Sequence, residues 1–250
     1  MTRTHLAASL LVSTLLAGCG GGGGGGGGTE APARTSAATY TFVHPKPGAH
    51  LVFAQKLTDN LNNTVNRTMV QDVTAVNADG SFTMHEEDPS HDRIVSGSVD
   101  QSLYPTDYRY NASGQATSWV ITHPTGATIN CTVTQGNPGA PSPLTVGQAW
   151  TVNYVETCDA GAGTSFTQSG TLSGIETITV AAGTFSAFKF TSTVTRTVNG
   201  TTRTETATLW RDASGADSRA LKSASVFTYS GTAPPAGALV SETSELQTYQ

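Results

Sequence analysis

The sequence has little charge and few aromatic residues, and it lacks the common catalytic motifs. Charged residues make up 12% of the 250 positions and aromatic residues 7%. The basic residues are scattered and form no stripe with interleaved aromatic residues, so nucleic acid is not an expected partner. No Gly-x-Ser-x-Gly elbow, no phosphate-binding glycine loop between a strand and a helix, and no His-Glu-x-x-His motif occurs. We therefore expect no enzyme activity and no cofactor.

The first residues show the three parts of an export signal. Arg3 supplies a positive start, and the apolar segment 6–17 is about half the length of a membrane span. It ends in Leu-Ala-Gly-Cys at 16–19, which resembles the bacterial lipobox. The resemblance implies that Cys19 receives a diacylglyceryl group, with palmitate as a typical acyl chain, and that residues 1–18 are removed. A general secretory signal with an incidental cysteine is the alternative.

A glycine-rich linker follows Cys19. Residues 20–28 are nine consecutive glycines, and a Pro/Ala/Ser/Thr stretch continues to about residue 39. Such a chain buries nothing and is flexible, with an average span of roughly 25 Å. By resemblance to enteric lipoproteins, the absence of Asp directly after Cys19 implies sorting to the outer membrane, facing the periplasm or the cell surface. The membrane, through the lipid anchor, is thus the first expected partner.

Two cysteines remain beside the lipidated one. Cys131 and Cys158 lie in segments 128–134 and 149–158, which alternate like strands. An exported protein is in an oxidising compartment, so we predict a disulfide between them. A closed loop of this length contributes about 3 kcal/mol to stability. Two free thiols or a metal site are the alternatives, but no further ligands stand nearby at metal spacing.

Short alternating segments fill the chain after residue 39 and predict antiparallel strands joined by tight turns. Threonine, valine and glycine are abundant, which suits pleated surfaces and turns. No segment shows a sustained helical period. The predicted strands include 50–57, 69–76, 81–85, 150–155, 175–180, 185–191 and 224–229.

Two sequence matches recur in the same order along the chain. Segments 68–82 and 171–185 both run from Thr to Phe with a glycine two positions before the Phe, and Asn-Ala-Ser-Gly at 111–114 matches Asp-Ala-Ser-Gly at 212–215. The offsets are about 103 and 101 residues, which predicts a tandem duplication. In each unit we expect the glycine to take a positive φ in a hairpin turn and the phenylalanine to enter the core.

The second half resembles a group of poorly characterised bacterial exported proteins. The resemblance rests on 143–150 (Pro-Leu-Thr-Val-Gly-Gln-Ala-Trp), on the hairpin 174–185, and on Leu209-Trp210 before Leu221-Lys222-Ser223. Those proteins resemble the half-barrels of lipoprotein carriers in shape. The resemblance implies a curved antiparallel sheet and no catalytic residues.

We therefore predict an all-β fold of antiparallel curved sheets or half-barrels, formed by tandem duplication of a unit of about 100 residues. The expected organisation is a signal peptide (1–18), a lipidated cysteine with its linker (19–39), a first β-unit (40–135), a connector (136–143) and a second β-unit (144–250).

The densest polar segment is 85–92, His-Glu-Glu-Asp-Pro-Ser-His-Asp. Imidazoles and carboxylates at this density can hold a divalent cation or work as an acid–base pair, with His85, Glu87 and His91 as the candidate metal ligands. In a strand, His85 and Glu87 share a face, whereas His91 lies beyond Pro89. The alternative interpretation is a solvated turn.

Trp119, Trp150 and Trp210 each lie on a predicted strand. As a set they are candidate ligand-binding residues on a concave sheet face, where they would contact an acyl chain or a sugar. The alternative is that each indole is part of the core.

Three functions are consistent with these observations. The first is a non-enzymatic envelope lipoprotein that binds an apolar ligand such as a lipid, or another envelope protein, through a curved sheet. The second is a structural or adhesive surface lipoprotein without a ligand cavity. The third is a metal-dependent hydrolase centred on 85–92.

Overall fold

The computed structural model describes residues 38–91 and 93–250. The predicted signal peptide, Cys19 and almost all of the predicted linker lie outside the described residues, as does Asp92. Within the described ranges the chain forms strands and no helix. In chain order the strands are β1 (Thr39–Tyr40), β2 (His50–Asp59), β3 (Thr64–Val76), β4 (Phe82–Glu87), β5 (Val95–Ser96), β6 (Val99–Asp100), β7 (Thr106–Tyr110), β8 (Ala116–Thr122), β9 (Thr128–Gln135), β10 (Leu144–Thr145), β11 (Ala149–Cys158), β12 (Thr164–Val180), β13 (Gly183–Val198), β14 (Thr201–Asp212), β15 (Ala220–Gly231) and β16 (Leu239–Tyr249).

Most of these strands form one closed antiparallel barrel. Its order is β11-β12-β13-β14-β15-β16-β2-β3-β4-β7-β8-β9, and β9 pairs with β11 to complete the ring. The other four strands form two short pairs, β1 with β10 and β5 with β6. The predicted all-β antiparallel class is therefore confirmed, and the curvature of the sheet continues to full closure.

Two pairings between strands that are not joined by a simple hairpin close the barrel. β2 pairs with β16, with Leu51 opposite Tyr249. β9 pairs with β11, with Cys131 opposite Cys158. Strands from both predicted β-units consequently belong to one continuous sheet.

Burial alternates along the barrel strands and identifies the inner face. In β2, Phe53 and Gln55 are buried whereas Ala54 and Lys56 are exposed. Residues directly opposite each other in an antiparallel pair point to the same face, so the register extends this assignment from strand to strand. An eight-stranded barrel has an interior that side chains just fill, and twelve strands enclose a wider one.

Apolar side chains fill one end of the interior, the end at which β3 turns into β4 and β12 into β13. We call it the apolar end. Its largest fully buried side chains include Leu172, Leu221 and Leu246, and burial of one such leucine contributes about 2 kcal/mol. Three apolar clusters meet there, centred on Phe53, on Phe190 and on Phe82.

The two predicted units use matching backbone geometry at the apolar end. The N–H of Gly48 donates to the carbonyl of Val73 at 2.9 Å, and the N–H of Gly147 donates to the carbonyl of Leu172 at 2.7 Å. Both glycines have a positive φ, 74° and 88°. The strand register then shifts directly after Val73 and directly after Leu172. The tandem duplication stays a prediction, and these matched details support it.

The second sequence match is also a pair of equivalent turns. The backbone N–H of Ser113 donates to Asn111 Oδ1 at 3.0 Å between β7 and β8. The N–H of Ser214 donates to Asp212 Oδ1 at 2.9 Å between β14 and β15. Each side chain replaces a backbone acceptor, which is why Asn and Asp favour such turns.

The two units differ at the opposite end of the barrel, which we call the polar end. In the second unit, Asn199-Gly200 joins β13 to β14 in a tight turn. In the first unit, the 88–105 segment connects β4 to β7 and contains β5 and β6. This segment packs on the loop between β15 and β16, where the N–H of Ser98 donates to the carbonyl of Ala236 at 2.8 Å.

No helix in the described part of the chain has the length and apolar character needed to cross a membrane.

Candidate functional site in the barrel interior

Charged side chains face the barrel interior towards the polar end. Arg196 of β13 lies directly opposite Arg203 of β14, and Glu205 lies two residues along β14 on the same face. Arg203 Nη2 is 3.2 Å from Glu205 Oε2, and the two side chains are only 14% and 6% exposed. The Arg203 guanidinium also lies over the ring of Phe227 at 4.3 Å. These residues form a buried ion pair inside the barrel.

The charged series continues across β16, β2 and β3. Gln55 Nε2 donates to Glu242 Oε1 at 3.2 Å, and Gln55 Oε1 accepts from Arg67 Nε at 2.7 Å. Arg67 Nη1 also donates to the carbonyl of Gln101 at 2.6 Å. The last contact links the interior to the 88–105 segment.

Glu86 of β4 lies at the end of this series. Its side chain is fully buried, and its Oε2 accepts from Gln71 Nε2 at 2.7 Å. Burial raises the pKa of Glu86 to about 7, an effect that the hydrogen bond from Gln71 and the charge of Arg67 only partly offset. This carboxyl group therefore changes charge near neutral pH.

Burial shifts the pKa values of the other interior groups in the direction that favours their neutral forms. It raises the pKa of Glu156, Glu205 and Glu242, and it lowers the pKa of Arg67 and Arg196. Nearby opposite charges act against burial in every case. Charges of both signs thus face each other in the interior, where burial disfavours the charged form of each group.

Among the buried polar atoms without a hydrogen-bond partner within residues 38–91 and 93–250 are three interior ones, Glu86 Oε1, Arg196 Nη2 and Ser244 Oγ. Buried polar atoms in folded proteins normally pair with protein groups or ordered water, and an unpaired one costs about 1–3 kcal/mol. The three atoms include a carboxylate acceptor, a guanidinium donor and a hydroxyl group. Together they offer contacts to a polar molecule.

Other buried carboxylates of the protein are paired by their own surroundings. Asp59 accepts from the backbone N–H groups of Leu61 and Asn63 at 2.9 and 2.8 Å. Asp217 pairs with Arg219 at 3.0 Å. These two groups stabilise turns and loop contacts, whereas Glu86 Oε1 has no partner among the described residues.

Aromatic rings border the charged series. The Arg196 guanidinium lies over the ring of Phe166 at 5.6 Å, and Tyr154 stacks against the same ring with 4.7 Å between centroids. Because Tyr154, Phe166 and Arg196 lie directly opposite one another on β11, β12 and β13, the sheet register itself fixes this arrangement.

The predicted disulfide is confirmed. Cys131 and Cys158 are bonded with an S–S distance of 2.01 Å, and they join β9 to β11 where the barrel closes. Their sulfurs and the carboxylate of Glu156 are the one set of three candidate metal-ligand atoms in the described ranges that lie within 4.8 Å of one another. Because the sulfurs are bonded to each other, this set has no thiolate to offer a metal.

The structure does not bring the three predicted ligand-binding tryptophans together. Trp150 is 5% exposed and belongs to the cluster of Phe190, while Trp119 packs on the cluster of Phe82. Trp210 packs on the cluster of Phe53. The three indoles therefore do not form a shared face, and ligand binding by a single one of them stays a prediction.

The predicted metal ligands lie close together on the outer face of the barrel. Glu87 Oε2 is 3.7 Å from His85 Nε2 and 3.8 Å from His91 Nε2. Asp92, the last residue of the predicted polar segment, lies outside the described residues.

Sequence reasoning missed the interior charges. The sequence of β14 contained an indication of them. Glu205 alternates with Ala207 and Leu209, and all three are buried on the inward-facing side of the strand. A charged residue in the apolar register of a strand indicates a buried polar group. The same test identifies Glu86, which alternates with Phe82 and Met84 in β4.

Comparisons with known proteins give remote structural likeness alone. No family model matches the sequence, and curated proteins give no significant match. A Bacteroides fragilis protein described as exported, with a YmcC-like fold, is 13% identical with a TM-score of 0.45, over 84% of this chain and 99% of that one. The hypothetical lipoprotein YmcC from Escherichia coli is 10% identical with a TM-score of 0.41, over 81% and 85%. A Parabacteroides distasonis protein described as a lipoprotein is 13% identical with a TM-score of 0.44, over 84% and 99%.

Proposed function

We propose that this chain is a lipid-anchored envelope protein, without enzyme activity, whose barrel binds a small polar molecule in its interior. The observation that carries the proposal is the set of buried polar atoms without partners, Glu86 Oε1, Arg196 Nη2 and Ser244 Oγ. A ligand with both donor and acceptor groups, such as a sugar or an amino acid, would satisfy them. Its hydroxyl or ammonium groups would donate to Glu86, and its oxygens would accept from Arg196.

A polar ligand fits this interior better than the acyl chain that the sequence suggested. The apolar end is filled by the protein's own side chains, including Leu172 and Leu246 with no exposed surface. Ordered water alone could also satisfy polar atoms in the polar half. A bound molecule other than water distinguishes a ligand site from a hydrated interior.

Native mass spectrometry of the full-length protein, extracted in mild detergent, tests the proposal. We expect a bound polar molecule of low mass, which a panel of amino acids and small sugars in a thermal-shift assay would help to identify. Arg196→Gln removes the buried guanidinium and should lower ligand affinity at least about tenfold, since a lost charged hydrogen bond costs about 1.5–3 kcal/mol.

Arg109→Gln is the matched control. Arg109 is exposed on the outer face of β7, so this variant should keep the ligand. A protein that carries no small molecule and that no compound stabilises has an interior filled by water, and the proposal is then wrong. A co-purified lipid would support the apolar-ligand hypothesis instead.

The anchor is proposed from the lipobox alone. Cys19→Ser removes the thiol that would be lipidated, so we expect the variant to move from the membrane fraction to the soluble fraction after cell lysis. Immunoblotting of the two fractions measures the change, with Cys131→Ser as a cysteine control that leaves the anchor intact. A Cys19→Ser protein that stays in the membrane fraction contradicts lipid anchoring, whatever the outcome for the interior ligand.

A further inference from the structure

Histidine and aspartate alternate across four neighbouring strands on the outer wall of the barrel. His50 of β2 lies opposite Asp72 of β3, Asp72 lies opposite His85 of β4, and His85 lies opposite Asp107 of β7. His50 Nδ1 is 2.7 Å from Asp72 Oδ1, and His85 Nδ1 is 2.8 Å from Asp107 Oδ1. The wall therefore carries two nearly identical His–Asp pairs.

The second of these pairs has beside it a carboxylate that also contacts a second histidine. Glu87 lies two residues along β4 on the same face as His85, and its Oε2 is 3.7 Å from His85 Nε2. The same oxygen is 3.8 Å from His91 Nε2. One carboxylate oxygen thus lies between two imidazole nitrogens.

The turn that carries His91 is held by its own hydrogen bonds. The carbonyl of Asp88 accepts from the N–H of His91 at 3.0 Å, and Asp88 Oδ1 accepts from the N–H and hydroxyl of Ser90 at 3.0 and 2.8 Å. His91 has a positive φ of 53°, which non-glycine residues rarely adopt. The local structure consequently directs His91 back towards the end of β4.

Asp107 prepares His85 for metal binding. A carboxylate that accepts from Nδ1–H fixes the imidazole tautomer in which Nε2 carries the free lone pair, as in the carboxylate–histidine–metal arrangements of known sites. The hydrogen bond to Asp107 also raises the electron density of the ring and so strengthens it as a ligand.

We propose that His85 Nε2, His91 Nε2 and a carboxylate oxygen of Glu87 bind a divalent transition-metal ion such as Zn²⁺, with water as a fourth ligand. Two imidazoles and one carboxylate are a ligand set that suits zinc, and tetrahedral coordination places N and O ligands about 3.4 Å apart. The two N···O distances must each shorten by a few tenths of an ångström, and His85 Nε2 and His91 Nε2, which lie more than 4.8 Å apart, must approach each other by more than an ångström. The His91 side chain is 60% exposed and is free to make this adjustment.

The site is independent of the proposed interior ligand. Glu87 faces out where the adjacent Glu86 faces in, so the two sites lie on opposite faces of the same sheet. The outer position leaves the ion accessible, because His85 and Glu87 are 29% and 28% exposed.

Calorimetric titration of the untagged full-length protein with ZnCl₂ at pH 7.5 tests the proposal. We expect one bound ion per chain and no comparable uptake of Mg²⁺, which prefers oxygen ligands. His85→Ala and His91→Ala should each lower zinc affinity at least about tenfold, and Asp107→Asn should lower it by about 10–100-fold although it removes no ligand.

His50→Ala is the matched control, because His50 has the same kind of aspartate contact but is not one of the proposed ligands. It should leave zinc affinity unchanged. Titration with Co²⁺ adds a readout of ligand geometry, since tetrahedral coordination gives strong visible absorption bands that His85→Ala should abolish. A wild-type protein that binds no zinc, or a His50→Ala variant that loses as much affinity as His85→Ala, overturns the proposal.

Discussion

At the scale of single residues, Glu86 and Glu87 show how strand alternation places two adjacent carboxylates in different environments. Glu86 is fully buried and faces the interior, whereas Glu87 is partly exposed and faces the histidines. In sequence the two belong to one acidic run and are equivalent. The strand predicted from the sequence puts His85 and Glu87 on one face, and they lie on one face of β4 in the structure. It did not identify Glu86 as buried, because the many charges around it resemble a solvated turn.

Glu86 makes the stability of the protein depend on pH. Its pKa is about 7 in the folded state and near 4.5 when unfolded, so the folded state binds the proton more tightly and stability falls as pH rises between these values. Glu86→Gln removes the ionisable group and therefore this loss of stability at higher pH. We expect the variant to be more stable than the parent at pH 8 by up to about 3 kcal/mol and equally stable near pH 4.5.

Urea unfolding at both pH values measures the Glu86 effect. Glu87→Gln, in metal-free buffer, is the control for loss of a neighbouring carboxylate that faces solvent. If Glu86→Gln and the parent protein lose stability equally between pH 4.5 and 8, Glu86 is ionised without cost and does not limit stability.

At the scale of elements, the hairpins were the most predictable part of the fold. The glycine turns that the sequence predicted have positive φ, 82° at Gly80 and 138° at Gly183, and Phe82 is buried directly after the first. The great length of β12 was not predicted, because Gly170 and Gly174 interrupt its pattern. Gly170 has a packing reason: an added Cβ would lie 2.4 Å from an atom of the Trp150 ring, so the indole requires a glycine there.

The matched loops at Gly48 and Gly147 make a prediction about the duplication. Both residues have a positive φ, and a Cβ at either position would meet no atom within 4 Å. Alanine at each should therefore cost only the left-handed backbone penalty, about 1 kcal/mol. We expect Gly48→Ala and Gly147→Ala to lower the free energy of unfolding by equal amounts, measured by urea titration.

Gly174→Ala is the comparison for these two substitutions. Its Cβ also meets no atom within 4 Å, but the position has no positive φ, so alanine there should be neutral or slightly stabilising. A large difference between the costs at Gly48 and Gly147 would mean that the two loops are not equivalent, and it would weaken the proposed duplication.

At the scale of the whole molecule, closure of the barrel could not be read from the sequence. Local alternation predicts strands and their inner faces, but it carries no information on which strands pair when no hairpin joins them. The pairing of β2 with β16 and of β9 with β11 depends on the combined twist and stagger of all twelve strands. The interior charges were missed for the same reason, since their common environment exists only once the ring is closed.

The pairing of β2 with β16 also has a kinetic consequence. The first barrel strand cannot gain its second neighbour until the last one is available, so the final sheet contacts span most of the chain. Folds dominated by such contacts form slowly, in milliseconds to seconds. Cys131 and Cys158 are only 27 residues apart. Their disulfide closes a much shorter loop, so it can form before β2 pairs with β16. We expect the chain to stay open to its partners and to proteases until β16 has emerged, with the disulfide holding the β9–β11 junction in the meantime.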